Sequence, residues 1–117
     1  VAWSSMQNAF YGSSNLNISA TDVPNLGNVT SMYSMFAFCS NLNGPSNINN
    51  WDTSKVTSMG YMFYLASVFN QNIGSWNTAN VTNMSFMFYN ASAFNQNVAH
   101  LLKIYKKDEF VTKKVLK

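Results

Sequence analysis

A repeat of about 25 residues constrains this chain more than any other feature, because a unit that short cannot bury its own apolar residues and must pack against its copies. Residues 56–73 read VTSMGYMFYLASVFNQNI and residues 81–98 read VTNMSFMFYNASAFNQNV, an offset of 25. An earlier copy opens at Val29 as VTSMYSMFAFCSNLN, and its Met32 precedes Met59 by 27. The two extra residues fit a turn-like insertion at Gly44-Pro45-Ser46-Asn47. A degenerate first copy starts at Trp3, with Met6, Phe10 and Leu16 standing 26 residues before Met32, Phe36 and Leu42. The copies are set near 3–28, 29–55, 56–80 and 81–101, giving a repeat region over 1–101 and a basic tail or cap over 102–117.

Columns of like residues run through the copies. All seven Met residues (6, 32, 35, 59, 62, 84 and 87) fall in two of them. Phe10, Phe36, Phe63 and Phe88 form an aromatic column, and Leu16, Leu42, Phe69 and Phe94 a further apolar one. Ile48, Ile73 and Val98 follow, then Trp51 and Trp76. Cys39 shares a column with Ser13, Ala66 and Ala91, all small, which predicts a tight inward position and a structural rather than reactive thiol.

Each unit divides into three parts. Residues 69–76 are the strand candidate, 77–80 a polar turn, and Val81, Met84, Met87 and Phe88 suit a short helix or 3₁₀ turn with one buried face. The predicted fold is therefore a repeat solenoid of about four coils, a leucine-rich-repeat-like right-handed coil with short parallel β-strands and short helical or 3₁₀ turns. Strands stacked about 4.8 Å apart would make a stub on the order of 20 Å long. Gln71 is left between two placements: an amide ladder with Gln96, or a strand that starts after Phe69. The Thr30, Thr57 and Thr82 column is read as capping the short helical turn that carries the Met residues.

Composition narrows the function classes. Hydrophobic residues make up 47% of the chain and aromatics 15%, enough for a packed core. Only 9% of residues are charged and Arg is absent. Six of the seven lysines lie at 103–117, so residues 1–101 carry Lys55 against Asp22 and Asp52, a net of −1. That body lacks the basic face a nucleic-acid partner requires. No apolar run reaches membrane-spanning length. Val1 stands where an initiator Met is usual, which marks a trimmed piece, so the lack of a signal peptide carries no weight.

The run FNQNIGSWNTANVTNMSFMF resembles the repeat of BspA-like bacterial surface proteins, F-N-Q-x-I-x-x-W-x-T-x-x-V-x-x-M-x-x-M-F. Residues 56–101 match almost throughout, the copy from Val29 matches with an insertion, and coverage runs from about 3 to 101. The resemblance implies a leucine-rich-repeat-like coil, export, attachment to the bacterial cell surface and adhesion to host proteins or other cells. It brings no catalytic residues. The chain leaves the pattern at Leu101, which stands where Trp51 and Trp76 stand in earlier copies.

Little in the chain supports chemistry, so no enzyme activity, metal or cofactor is expected. His100 aligns with Ser75, Asp52 with Asn77, and the four acids (Asp22, Asp52, Asp108, Glu109) are scattered. One Cys and one His cannot make a zinc set. The candidate binding residues are Asn70, Asn72, Asn95 and Asn97. The column Asn17, Asn43, Asn70, Asn95 reads structurally as stacked amides and functionally as an outward polar ladder. The expected function is an extracellular binding or adhesion module contacting a host or cell-surface protein. The alternatives are a structural spacer, or a carbohydrate-binding module with Trp51 and Trp76 as its stacking plates if exposed. Uncapped coil ends would allow end-to-end self-association.

Overall fold

The structure, a computed structural model, describes residues 3–101. The 102–117 tail or cap lies outside the described residues. The Met and Phe columns form the core. Phe36, Phe63 and Phe88 are fully buried, as are Met32, Met59 and Met62. Phe10, Phe36, Phe63 and Phe88 pile ring on ring with centroids 5.5, 5.7 and 5.6 Å apart. Phe69 and Phe94 pile beside them at 5.8 Å, each 4.2 Å from the first column's Phe63 or Phe88. Cys39, Ala66 and Ala91 are buried, and small side chains there suit a close-packed interior.

Strands do not build this stack, and the strand-based solenoid expected from the sequence is corrected. Among the described residues there is no β-strand, no sheet and no α-helix. There are two 3₁₀ turns, Ile48–Asn50 and Ala99–Leu101, and two isolated parallel bridges, Ser31 with Ser58 and Ser58 with Asn83. The positions are also reversed from expectation. The bridges sit at the start of the segment read as helical, and the 3₁₀ turns lie where a strand was expected. The radius of gyration is 12.8 Å, that of a compact globule.

Backbone hydrogen bonding gives the reason. In the first repeat the amides of Ala9, Tyr11 and Ser13 bond back to the carbonyls of Met6, Asn8 and Phe10, making three overlapping i→i+3 turns. The alternate amides, of Met6, Asn8, Phe10 and Gly12, donate to Ser31, Tyr33, Met35 and Ala37 of the next repeat at 2.9–3.0 Å. The same division recurs from Met32, Ser34, Phe36 and Phe38 to Ser58, Gly60, Met62 and Tyr64, and from Met59, Tyr61, Phe63 and Leu65 to Asn83, Ser85, Met87 and Tyr89. Half of the amides join repeats while the other half close local turns. A strand frees its amides from such local turns, so no regular ladder can form.

This path requires the left-handed region at two positions per repeat. Asn8, Ser34, Tyr61 and Phe86 have φ of 58°, 55°, 56° and 55°. Gly12, Phe38, Leu65 and Asn90 have φ of 75°, 63°, 58° and 55°. Positive φ at the third position of a turn suits glycine, and each other residue there costs about 1–2 kcal/mol. In the first three repeats the amides of these same residues donate inter-repeat bonds, which hold them in place.

Phe63 is stacked on both faces and also touches Phe69 and Trp76. Phe63→Ala is expected to lower unfolding free energy by about 3–5 kcal/mol, measured by urea denaturation followed by circular dichroism.

Candidate functional site

The predicted Asn column runs along the exposed surface, and it is built into the stack. Asn17 Oδ1 accepts the amides of Asn43 (3.1 Å) and Gly44 (2.8 Å). Asn43 Oδ1 accepts the amide of Asn70 at 3.0 Å, and Asn70 Oδ1 that of Asn95 at 2.8 Å. Each carboxamide thus satisfies the backbone of the following repeat, replacing the strand hydrogen bonds absent from this segment. Gln71 joins the same arrangement by donating to the Asn43 carbonyl. Gln96 Nε2 donates to the Asn70 carbonyl at 3.0 Å and to Asn70 Oδ1 at 3.1 Å. Asn72 Oδ1 accepts the Gly74 amide two residues on, an Asx-type turn. Asn72 and Asn97 are exposed.

Hydroxyl columns do similar work. Thr30, Thr57 and Thr82 donate to the carbonyls of Ser4, Thr30 and Thr57 at 3.4, 3.0 and 3.2 Å. They tie repeats together and do not cap a helical turn, as the sequence had suggested. Ser40, Ser67 and Ser92 donate to the carbonyls of Ser14, Ser40 and Ser67. Thr53 is buried and both accepts the Asn77 amide and donates to its carbonyl, each at 3.0 Å. Buried backbone groups need such partners where no ladder supplies them.

The surface feature that sequence reasoning missed is aromatic. Tyr11, Phe38, Tyr64 and Tyr89 run along the stack with centroids 5.4, 5.4 and 5.5 Å apart. A second column, Tyr33, Tyr61 and Phe86, runs beside it at 5.5 and 5.1 Å spacing. The two are joined by Tyr61–Tyr64 and Phe86–Tyr89 contacts. Tyr11, Phe38 and Tyr89 are 55%, 39% and 40% exposed. A groove of about 350 Å³ is lined by Tyr11, Phe38 and Tyr64 of one column, Tyr33 and Tyr61 of the other, and Asn8, Ser34 and Ala37, with no carboxylate, imidazole or amine among them. Tyr64 and Tyr89 each directly follow a core Phe, a doublet visible in the sequence. What the sequence does not display is the left-handed backbone that carries Phe38, Tyr61 and Phe86 beside them.

Trp51 and Trp76 are 6% and 4% exposed, so they are packing residues and not stacking plates. His100 is exposed, and its Nε2 donates to the Gly74 carbonyl at 2.9 Å, since a carbonyl can only accept. The Asp52 carboxylate accepts the hydroxyl (2.6 Å) and amide (3.0 Å) of Ser54, and these bonds hold its pKa below the usual range. Burial pushes the Cys39 thiol up, against a smaller opposing contact from the Ser13 backbone. The Cys39 Sγ sits 3.1 Å from the Phe10 carbonyl, to which it donates. Among the described residues no group of three or more His, Cys, Asp and Glu is placed to hold a metal ion, and no helix is long and apolar enough to cross a membrane.

Asn70→Ala removes acceptors for Asn95 and Gln96 and is expected to cost about 1 kcal/mol in urea unfolding, while Asn97→Ala is expected to stay within about 0.5 kcal/mol of wild type. A raised folded-state pKa for Cys39 means that the folded protein holds the thiol proton more tightly. Its contribution to stability is then complete below a thiol's ordinary pKa and lost as pH rises through the folded value. Urea midpoints of wild type and Cys39→Ala across the alkaline range are expected to converge as pH rises.

The chain matches a family model described as "Mycoplasma protein of unknown function, DUF285" over residues 4–113. No curated protein and no solved structure matches it. With nearly its whole length inside that match, the chain belongs to the DUF285 family of Mycoplasma proteins of unknown function.

Proposed function

We propose that this chain is an extracellular binding or adhesion module of a bacterial surface protein, and that it contacts a protein partner without doing chemistry. The observation that carries this reading is the pair of surface aromatic columns, Tyr11–Phe38–Tyr64–Tyr89 beside Tyr33–Tyr61–Phe86, in which Tyr11, Phe38 and Tyr89 are exposed and the other rings half-buried. Exposed aromatic area is concentrated at interfaces because rigid rings bury much surface at small entropic cost. The groove they line is uncharged, so affinity would come from apolar contact and hydrogen bonds to tyrosine hydroxyls and the adjacent Asn8 and Ser34.

The likeness of the repeat to BspA-like proteins supports export and a surface location. From sequence, the Asn column is the candidate for the contact. Asn70 Oδ1 already serves the following repeat, so the aromatic columns carry the contact and exposed amides such as Asn72 and Asn97 supplement it. A glycan partner is the second reading, favoured by the exposed tyrosine rings in place of the buried Trp51 and Trp76.

The test is binding of the full chain to arrays of matrix proteins and glycans. Tyr64→Ala/Tyr89→Ala is compared with Asn70→Ala/Asn95→Ala, with folding checked by circular dichroism. The tyrosine pair is expected to weaken capture at least about tenfold, as loss of aromatic anchors does. Capture lost only in the asparagine pair would return the site to the amide column. No capture of any ligand would favour a spacer.

A further inference from the structure

The first repeat lacks a piece that the second and third possess. Ile48 and Ile73 are buried in their layers, and the Ile48 carbonyl accepts the indole N–H of Trp76 at 2.8 Å. Ala20, Thr21 and Asp22 stand at the corresponding stretch of the first repeat, and all three are exposed. A cavity of about 250 Å³ opens here, lined by Phe10, Ile18, Ala20, Leu26, Met35 and Trp51 among others, with Asp22 its one ionisable lining residue. Met6, Phe10, Leu16 and Ile18 pack against the core but remain only partly buried.

Trp51 supplies a second, independent sign. It is buried, and its Nε1 has no hydrogen-bond partner among the described residues. Trp51 and Trp76 hold the same position in successive repeats. The Trp51 indole therefore addresses the layer of the first repeat as the Trp76 indole addresses the layer of the second. Trp76 finds a carbonyl there, and Trp51 does not. A buried donor without an acceptor is costly, and an apolar lining gives water few partners.

We propose that this cavity receives a branched aliphatic side chain of an extended peptide from a protein partner, seated so that a main-chain carbonyl accepts the Trp51 indole N–H. Ile48 supplies both pieces to the next repeat, an apolar side chain and a carbonyl, so the occupant is defined by what the fold itself places there. A pure hydrocarbon would fill the space and leave the indole unsatisfied. A polar molecule would satisfy the indole and be unsuited to Phe10, Leu26 and Met35. The cavity shares no lining residue with the aromatic groove, so it stands independently of the binding reading above.

The experiment is an NMR titration of the ¹⁵N-labelled full chain with acetyl-NQNIGS-amide, the sequence of residues 70–75. The indole resonance of Trp51, assigned by its disappearance in Trp51→Phe, is expected to move downfield and saturate with a Kd of about 1 mM or tighter, while those of Trp3 and Trp76 stay in place. Intermolecular NOEs are expected from the peptide isoleucine methyls to Phe10 and Met35. A peptide with Ser in place of Ile is expected to bind at least about tenfold more weakly, the loss of a buried aliphatic group. Ala20→Leu, which fills the cavity from within, is expected to abolish the shift.

No movement of the Trp51 resonance at the peptide's solubility limit overturns the proposal, as does equal binding of the Ser peptide. A particle mass that rises with concentration in light scattering and falls back in Ala20→Leu would make a second copy the occupant and overturn the assignment to a partner.

Discussion

Between Met6 and Gly12, and at the matching place in the next two repeats, the backbone alternates. One amide closes a turn within the repeat, and the next reaches the carbonyl of the repeat that follows. The rest of the structure depends on this alternation. It fixes the register of about 26 residues between copies, and so brings Met onto Met and Phe onto Phe. It also forces two left-handed residues into every repeat, at Asn8 and Gly12 and their equivalents. In the first three repeats the strained residues themselves donate inter-repeat bonds, so relaxing the dihedral there would break the register.

Where the backbone does not join the repeats, side chains do. The amide column Asn17–Asn43–Asn70, the Thr and Ser columns, and the buried Thr53 each supply a partner to a main-chain group of a neighbouring repeat. This explains a polar composition over residues 1–101 that is rich in Asn, Ser and Thr and carries only Lys55, Asp22 and Asp52 as charges. A short neutral side chain offers a donor and an acceptor at fixed reach. A carboxylate or ammonium repeated at each step would stack like charges against one another. The first repeat shows the principle by its failure: without a buried apolar residue matching Ile48, a cavity opens and the Trp51 indole has no acceptor among the described residues.

Much of the core was legible in the sequence, and its backbone was not. The column of Phe10, Phe36, Phe63 and Phe88 can be read by eye, as can the small column containing Cys39. Spacings of three, three and one at Val81, Met84, Met87 and Phe88 suit a short helix or 3₁₀ turn, and the run FNQNIGSW suits a strand; the first segment folds as overlapping turns and no strand forms among the described residues. Apolar periodicity reports which residues face inward. It does not distinguish a strand from a chain of overlapping turns that presents the same residues inward. Positive φ at Tyr61, Phe38 and Phe86 had no sequence signal, since bulky residues are the last expected there. The candidate Asn residues were found at the surface, but their engagement by the following repeat depends on a register only the fold supplies.

The sequence by itself determined that copies of one unit pack in columns, which residues form the core, and that the body carries almost no charge. Those properties follow from identity at fixed spacing, which needs no coordinates. The tertiary structure decided how the backbone travels between the columns, that Trp51 and Trp76 turn inward, and that Tyr11, Phe38, Tyr64 and Tyr89 share one exposed face. The physical reason is that these outcomes rest on which amide bonds locally and which bonds to a residue some 26 positions away. That competition is settled only when the repeats are in contact.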